Sequence, residues 1–131
     1  MGKIVKIAII DDNTDYLFTM ETFLQRNGFE TVTAEDGQKG LDLIKKERPD
    51  LILLDIMMET FFTGFEVSRK LRTDSDLKDI PIISISAIGP ELRVEKEKSW
   101  FIEKYIGKDN FFEKPVDKEK LLSRIKERLK E

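Results

Sequence analysis

The sequence predicts an α/β fold in which a five-stranded parallel sheet is covered by helices on both faces. First, short aliphatic or β-branched runs alternate with stretches whose apolar residues have helical spacing. Second, the segments Ile7–Ile10 and Leu51–Leu54 are apolar at every position, as expected for strands buried between two layers of helices. Third, 131 residues accommodate five strand and helix units in one domain.

The strands are predicted from the apolar runs. In chain order these are Ile4–Ile10, Thr31–Thr33, Leu51–Leu54, Ile82–Ile85 and, more weakly, Phe111–Phe112. Pro49 and Pro81 precede the third and fourth runs, which agrees with strands that start after them.

Helices are predicted where apolar residues recur three or four positions apart. The recurring residues are Leu17, Met20 and Leu24; Leu41 and Ile44; Val67 and Leu71; and Leu121 or Leu122 with Ile125 and Leu129. Asp12 or Asn13 suits the start of the first helix, Asn27 and Gly28 suit its end, and Asp36 suits the start of the second.

Composition excludes several functional classes. The chain has 23 basic and 26 acidic residues and no basic run, so we expect no direct contact with nucleic acid. It has no cysteine or histidine, so any metal must be bound through oxygen. The first apolar run is interrupted by Lys6 and ends at Asp11, too early for a signal peptide or a membrane span. We therefore expect a cytoplasmic protein without membrane insertion.

Acidic and hydroxyl side chains follow three predicted strands. Asp11 and Asp12 follow the first, Asp55 the third and Ser86 the fourth. Any one of them is also explained as a helix cap or a turn residue. However, ligands of open parallel sheets bind beyond the carboxyl ends of the strands, where neighbouring first and third strands would bring three carboxylates together. Their mutual repulsion requires a counter-charge, for which Mg²⁺ is the natural candidate.

Lys114 follows the predicted fifth strand and precedes Pro115. Such a pair is commonly a surface turn. Beside three acids, however, this lysine can pair with a carboxylate at rest and with a phosphoryl oxygen after modification. The bond between the two residues is a candidate for the cis form.

Together these residues resemble the receiver domain of response regulators over nearly the whole chain. The matching motifs are Ile-Ile-Asp11-Asp12, Leu-Leu-Asp55-Ile-Met, Ser86-Ala87 and Lys114-Pro115. Each motif is weak alone, but the combination is specific. The resemblance implies the flavodoxin-like receiver fold with strand order 2-1-3-4-5. It also implies one receiver domain over residues 1–131, with no output domain, that acts in two-component phosphorelay signalling.

The resemblance further implies the metal site and the acceptor. Asp55 would be the phosphoacceptor. Asp12, Asp55 and the backbone carbonyl of Met57 would bind Mg²⁺ directly, and Asp11 would contribute mostly through water. The domain would catalyse only its own phosphorylation and dephosphorylation, so it is not expected to be an enzyme with a separate substrate.

Three further residues receive roles from the same resemblance. Lys114 would form an ion pair with the phosphoryl group, and Ser86 would hydrogen-bond to it. Movement of Ser86 would let Phe111 rotate as a switch and change the surface around the fifth strand. A core aromatic at Phe111 is an equally good interpretation.

The resemblance implies a phosphohistidine donor on a sensor histidine kinase or a phosphotransfer protein, since this chain has no histidine. By analogy the donor would dock on the first helix around Thr14, Asp15 and Phe18. The output would be a downstream protein target that the sequence does not identify.

Two regions depart from the family pattern. After Asp55, Met58 is followed by Glu59 where the family usually has proline, and Gly64 lies one residue later than usual. In addition, the segment 87–110 is longer than its family counterpart. Its stretch Glu91–Tyr105 is rich in charged and aromatic residues, and we hypothesise an output or dimer surface there, with a core cluster as the alternative.

Two other functional classes remain as alternatives. One is a receiver-shaped interaction module that is not phosphorylated. The other is a metal-dependent phosphohydrolase with a nucleophile after the first strand, which fits less well because Asn13 stands where a second acid is needed. A dinucleotide-binding domain is excluded, since no glycine-rich turn follows the first strand.

Overall fold

A computed structural model describes residues 4–55, 61–86 and 111–130. The strands are β1 (Lys6–Ile10), β2 (Glu30–Ala34), β3 (Leu51–Asp55), β4 (Ile82–Ser86) and β5 (Phe111–Glu113). The helices in these ranges are numbered here as α1 (Thr14–Arg26), α2 (Gly37–Glu47), α3 (Phe61–Thr73) and α4 (Lys118–Leu129). None of the helices in the described ranges has the length and apolar character needed to cross a bilayer.

The five strands form one parallel sheet in the order β2-β1-β3-β4-β5, which confirms the predicted fold class and strand order. The predicted start of β1 was wrong by two residues. Ile4 is 69% exposed, whereas Lys6 pairs with Glu30 of β2 and its backbone N–H donates to Asp50 Oδ2. Asp55 and Ser86 are the last residues of their strands instead of the first residues after them.

The core lies on both faces of the sheet because successive strand residues point to opposite sides. One face carries Ala8, Ile10, Ile52 and Leu54, which cluster with Leu41, Ile44, Val67 and Leu71 of α2 and α3. The other face carries Ile7, Ile9, Leu51 and Leu53, which cluster with Leu17, Met20, Leu24, Leu121 and Ile125 of α1 and α4. The predicted core residues of the helices are therefore buried, except that Leu122 and Leu129 are only half-buried.

Polar side chains fix the helix ends near the sheet edge. Asn13 caps α1, since its side chain accepts a hydrogen bond from the Tyr16 N–H at 3.0 Å. Asp36 caps α2 in the same way. Gly28, with φ of +89°, follows the C-cap of α1 in a conformation that favours glycine. These caps confirm the predicted helix boundaries and select Asn13 over Asp12.

Helix α2 approaches the carboxyl end of β1 closely at Gly40. A Cβ atom on this residue would lie 2.7 Å from Cδ1 of Ile10, which is fully buried. The absence of a side chain at Gly40 thus sets how near α2 lies to the strand that leads into Asp11.

Candidate functional site

Three carboxylates meet at the carboxyl ends of β1 and β3. Asp11 and Asp12 follow β1 directly, and Asp55 ends β3. The two strands are neighbours in the sheet, with Ile10 paired with Leu54. One carboxylate oxygen from each of the three residues lies within 4.8 Å of the other two. The structure thus brings together the three acids that the sequence singled out.

The three acids differ in their access to solvent. Asp11 and Asp55 are 2% and 4% exposed, whereas Asp12 is exposed. Two charges therefore lie where water screens them poorly, and the third faces solvent.

Lys114 provides the opposite charge. Its Nζ donates to Asp11 Oδ2 at 2.9 Å and lies 3.7 Å from Asp55 Oδ2. Asp11 Oδ1 accepts from the Asn13 N–H, so both oxygens of Asp11 are engaged. The peptide bond between Lys114 and Pro115 is cis.

The cluster can hold a hard divalent cation. One ammonium group against three carboxylates leaves an excess of negative charge. Carboxylate oxygens are the ligands that Mg²⁺ and Ca²⁺ prefer, and the donor set at Asp11, Asp12 and Asp55 fits such an ion.

Sequence reasoning missed Tyr16 in the first turn of α1. Lys114 Nζ lies 4.1 Å from the centre of the Tyr16 ring. Burial raises the pKa of the tyrosine hydroxyl, and the negative charges of Asp11 and Asp55 raise it further. The signal available in the sequence was an aromatic residue one helical turn after the acidic pair.

The remaining predicted site residues are described only in part. Ser86 ends β4, and its backbone is in register with Glu113, next to Lys114. The side chain of Ser86, the Met57 carbonyl and the segment Glu91–Tyr105 lie outside what the structure describes. Phe111 begins β5 and is half-buried, which leaves both interpretations of this residue open.

The fold and the acidic site define a class of protein. A family model described as the response regulator receiver domain matches residues 7–126. The chain therefore belongs to the response regulator receiver family of two-component systems.

Individual relatives agree with this assignment. Protein PilH of Pseudomonas aeruginosa is 32% identical over 120 residues, which cover 92% of this chain and 93% of PilH. The probable transcriptional regulator ycf27 of Guillardia theta is 35% identical over 121 residues; the match covers 92% of this chain but only 44% of that relative. A crystal structure of a CheY-like receiver domain protein from Methanospirillum hungatei has a TM-score of 0.82 and 28% identity, and covers 98% of this chain and 95% of that one.

Proposed function

We propose that the chain accepts a phosphoryl group on Asp55 in a Mg²⁺-dependent reaction and thereby switches a protein-interaction surface. The observation that carries this proposal is the position of the Asp55 carboxylate, within 4.8 Å of two other carboxylates and 3.7 Å from Lys114 Nζ. Membership of the receiver family supports the same assignment.

Asp12, Asp55 and the Met57 carbonyl would hold the magnesium ion, with Asp11 acting mostly through water. Magnesium, when bound, offsets the repulsion between an anionic carboxylate and an anionic phosphoryl donor. The exposed Asp12 offers an oxygen accessible from solvent, which supports entry of the ion from this side.

The chain's own residues position the transfer. An Asp55 oxygen forms the bond to phosphorus as the bond from phosphorus to the donor's imidazole nitrogen breaks, and that nitrogen keeps the electron pair. Lys114 donates to a phosphoryl oxygen, and Asp11 holds this lysine at 2.9 Å from its own carboxylate. Ser86 provides a further hydrogen bond to the phosphoryl group.

The donor is a phosphohistidine on a sensor kinase or a phosphotransfer protein. Because Asp55 is only 4% exposed, the donor has to approach from the side of the exposed Asp12. The adjoining start of α1 is exposed at Thr14 and Asp15, and Phe18 is 70% exposed. An apolar side chain presented to solvent beside the acidic site supports docking of a partner on this helix.

The output is a change of surface around β5. Phe111 lies at the start of this strand and is half-buried. Because its ring is only partly enclosed, rotation of the ring is possible. We expect phosphorylation to move Ser86 and Phe111 together and so to alter binding of a downstream protein.

Mass spectrometry of the intact protein tests the proposal. After incubation with Mg²⁺ and acetyl phosphate, we expect one phosphoryl group per chain, and none with Asp55→Asn or in the presence of a chelator. Asp42→Asn, which removes an exposed carboxylate of α2, is the matched control and should be modified like the wild type. Absence of modification in the wild type would favour an interaction module that is not phosphorylated. Phosphate-ester turnover that survives Asp55→Asn would favour the phosphohydrolase.

A further inference from the structure

The Tyr16 ring is the aromatic group against which Lys114 rests. The distance from Lys114 Nζ to the ring centre is 4.1 Å, well inside the range of a cation–π contact. The same Nζ donates to Asp11 at 2.9 Å and faces Asp55 at 3.7 Å. The Lys114 ammonium group thus lies close to two carboxylates and to the face of one aromatic ring.

A ring face has an effect on this lysine that another carboxylate would not have. A lysine side chain has four flexible carbons, and its ammonium group loses considerable freedom when it is held at one point. The ring attracts the cation without adding negative charge near Asp55 and without a strong acceptor that would compete with a phosphoryl oxygen. Tyr16 can therefore hold the Lys114 ammonium group in place while the N–H groups of the lysine stay available to a phosphoryl oxygen.

The contact between Tyr16 and Lys114 does not involve the tyrosine hydroxyl. This hydroxyl is buried and has no hydrogen-bond partner among the described residues. The part of Tyr16 that acts on Lys114 is therefore the face of its ring.

We propose that Tyr16 is a positioning residue for phosphoryl transfer, in which the face of its ring holds the Lys114 ammonium group between Asp11 and Asp55. This inference rests on the proposed function of Asp55 as the acceptor. It makes the rate of phosphorylation depend on an aromatic ring at residue 16, through Lys114.

The first test uses phosphorylation by acetyl phosphate with saturating Mg²⁺. Tyr16→Leu should lower the rate about five-fold, whereas Tyr16→Phe, which keeps the ring, should stay within about two-fold of the wild type. In a Lys114→Gln background, Tyr16→Leu should cause no further loss, because the residue that it positions is gone. Equal losses in both backgrounds would overturn the proposal, and so would an unchanged rate for Tyr16→Leu.

The second test does not depend on phosphorylation. In NMR spectra, the ε-methylene protons of Lys114 should show an upfield ring-current shift in the wild type and in Tyr16→Phe, but not in Tyr16→Leu. Absence of the shift in the wild type would overturn the positioning contact itself. A normal shift in a wild-type protein that takes up no phosphoryl group would instead overturn the proposed function, and the catalytic part of this inference with it. Should Tyr16→Leu not fold, as judged by circular dichroism, Tyr16→Met serves as the non-aromatic variant in both tests.

Discussion

A divalent cation bound at the three carboxylates would lie close to the Lys114 ammonium group. The lysine takes Asp11 Oδ2 in a direct hydrogen bond and lies 3.7 Å from Asp55 Oδ2. Its side chain is 19% exposed and those of the two acids are 2% and 4% exposed, so solvent screens these contacts only partly. A cation that binds here has to overcome repulsion from the ammonium group.

Replacing Lys114 with glutamine should therefore strengthen Mg²⁺ binding while it slows phosphorylation. We expect affinity to rise about five-fold or more, because a positive charge a few ångströms from the ion is removed. Isothermal titration calorimetry measures the affinity. Lys118→Gln is the control, since the contact that the structure gives this lysine is with the Phe23 ring, at 5.6 Å. Unchanged or weaker Mg²⁺ binding by Lys114→Gln would contradict the prediction.

The acids and the lysine were predictable, whereas Tyr16 was not. Asp11, Asp55 and Lys114 stand at the ends of apolar runs, and the ends of parallel strands meet at one edge of a sheet. The direction in which Tyr16 points depends on the rotation of α1 about its own axis. The spacing of Leu17, Met20 and Leu24 indicates that rotation, but it does not indicate that Lys114, far along the chain, lies against the ring.

At the scale of elements, α2 lies close to β1 because Gly40 has no side chain. Gly40 lies within the helix, where glycine is unfavourable by about 1 kcal/mol relative to alanine. That disadvantage is offset by the close approach to Ile10, at which a Cβ atom would be 2.7 Å away. Because Ile10 is fully buried, its side chain has little room to move.

Gly40→Ala should consequently destabilise the protein despite its better helix propensity. We expect a net loss of about 1–2 kcal/mol in the free energy of unfolding, since the overlap with Ile10 outweighs the gain in propensity. Urea denaturation followed by circular dichroism measures this change. Lys45→Ala, at an exposed position of the same helix, is the control and should have little effect. A Gly40→Ala variant as stable as the wild type would show that α2 can move away from β1 at no cost.

The starts of α1 and α2 follow from local chemistry, whereas the start of β1 has a nonlocal cause. The caps at Asn13 and Asp36 satisfy backbone N–H groups of their own helix, so the sequence alone indicates them. The start of β1 depends on Asp50, which lies 44 positions away and accepts from the backbone N–H of Lys6. A run of apolar residues that includes Ile4 gives no sign of this contact.

At the scale of the whole molecule, an ionic cluster joins elements at the end of the sheet opposite to the acidic site. Lys6 Nζ at the start of β1 donates to Glu47 of α2 at 2.9 Å and lies 3.5 Å from Glu30 of β2. The hydrogen bond from Lys6 holds the pKa of Glu47 below its usual value. It also raises the pKa of Lys6.

This cluster should make stability fall in acid. A carboxyl whose pKa is lowered by folding contributes stability above its unfolded value, here 4.5, and that contribution is lost as the pH falls through the folded pKa. Glu47→Gln should therefore lose stability less steeply than the wild type between about pH 6 and pH 3. Urea denaturation across this range measures the slopes. Glu119→Gln, an exposed change in α4, is the control. Parallel curves for Glu47→Gln and wild type would rule out a contribution from the ion pair.

The strand order makes β2 an outer strand of the sheet. Outer strands can recruit a strand of another molecule, and short polar strands resist this. β2 has five residues, begins with the exposed Glu30, and carries Thr31, whose hydroxyl group contacts Gln25 and Glu21 of α1. At high protein concentration, the edge formed by β2 should therefore resist pairing with a strand of another copy. This resistance would limit aggregation through an intermolecular sheet.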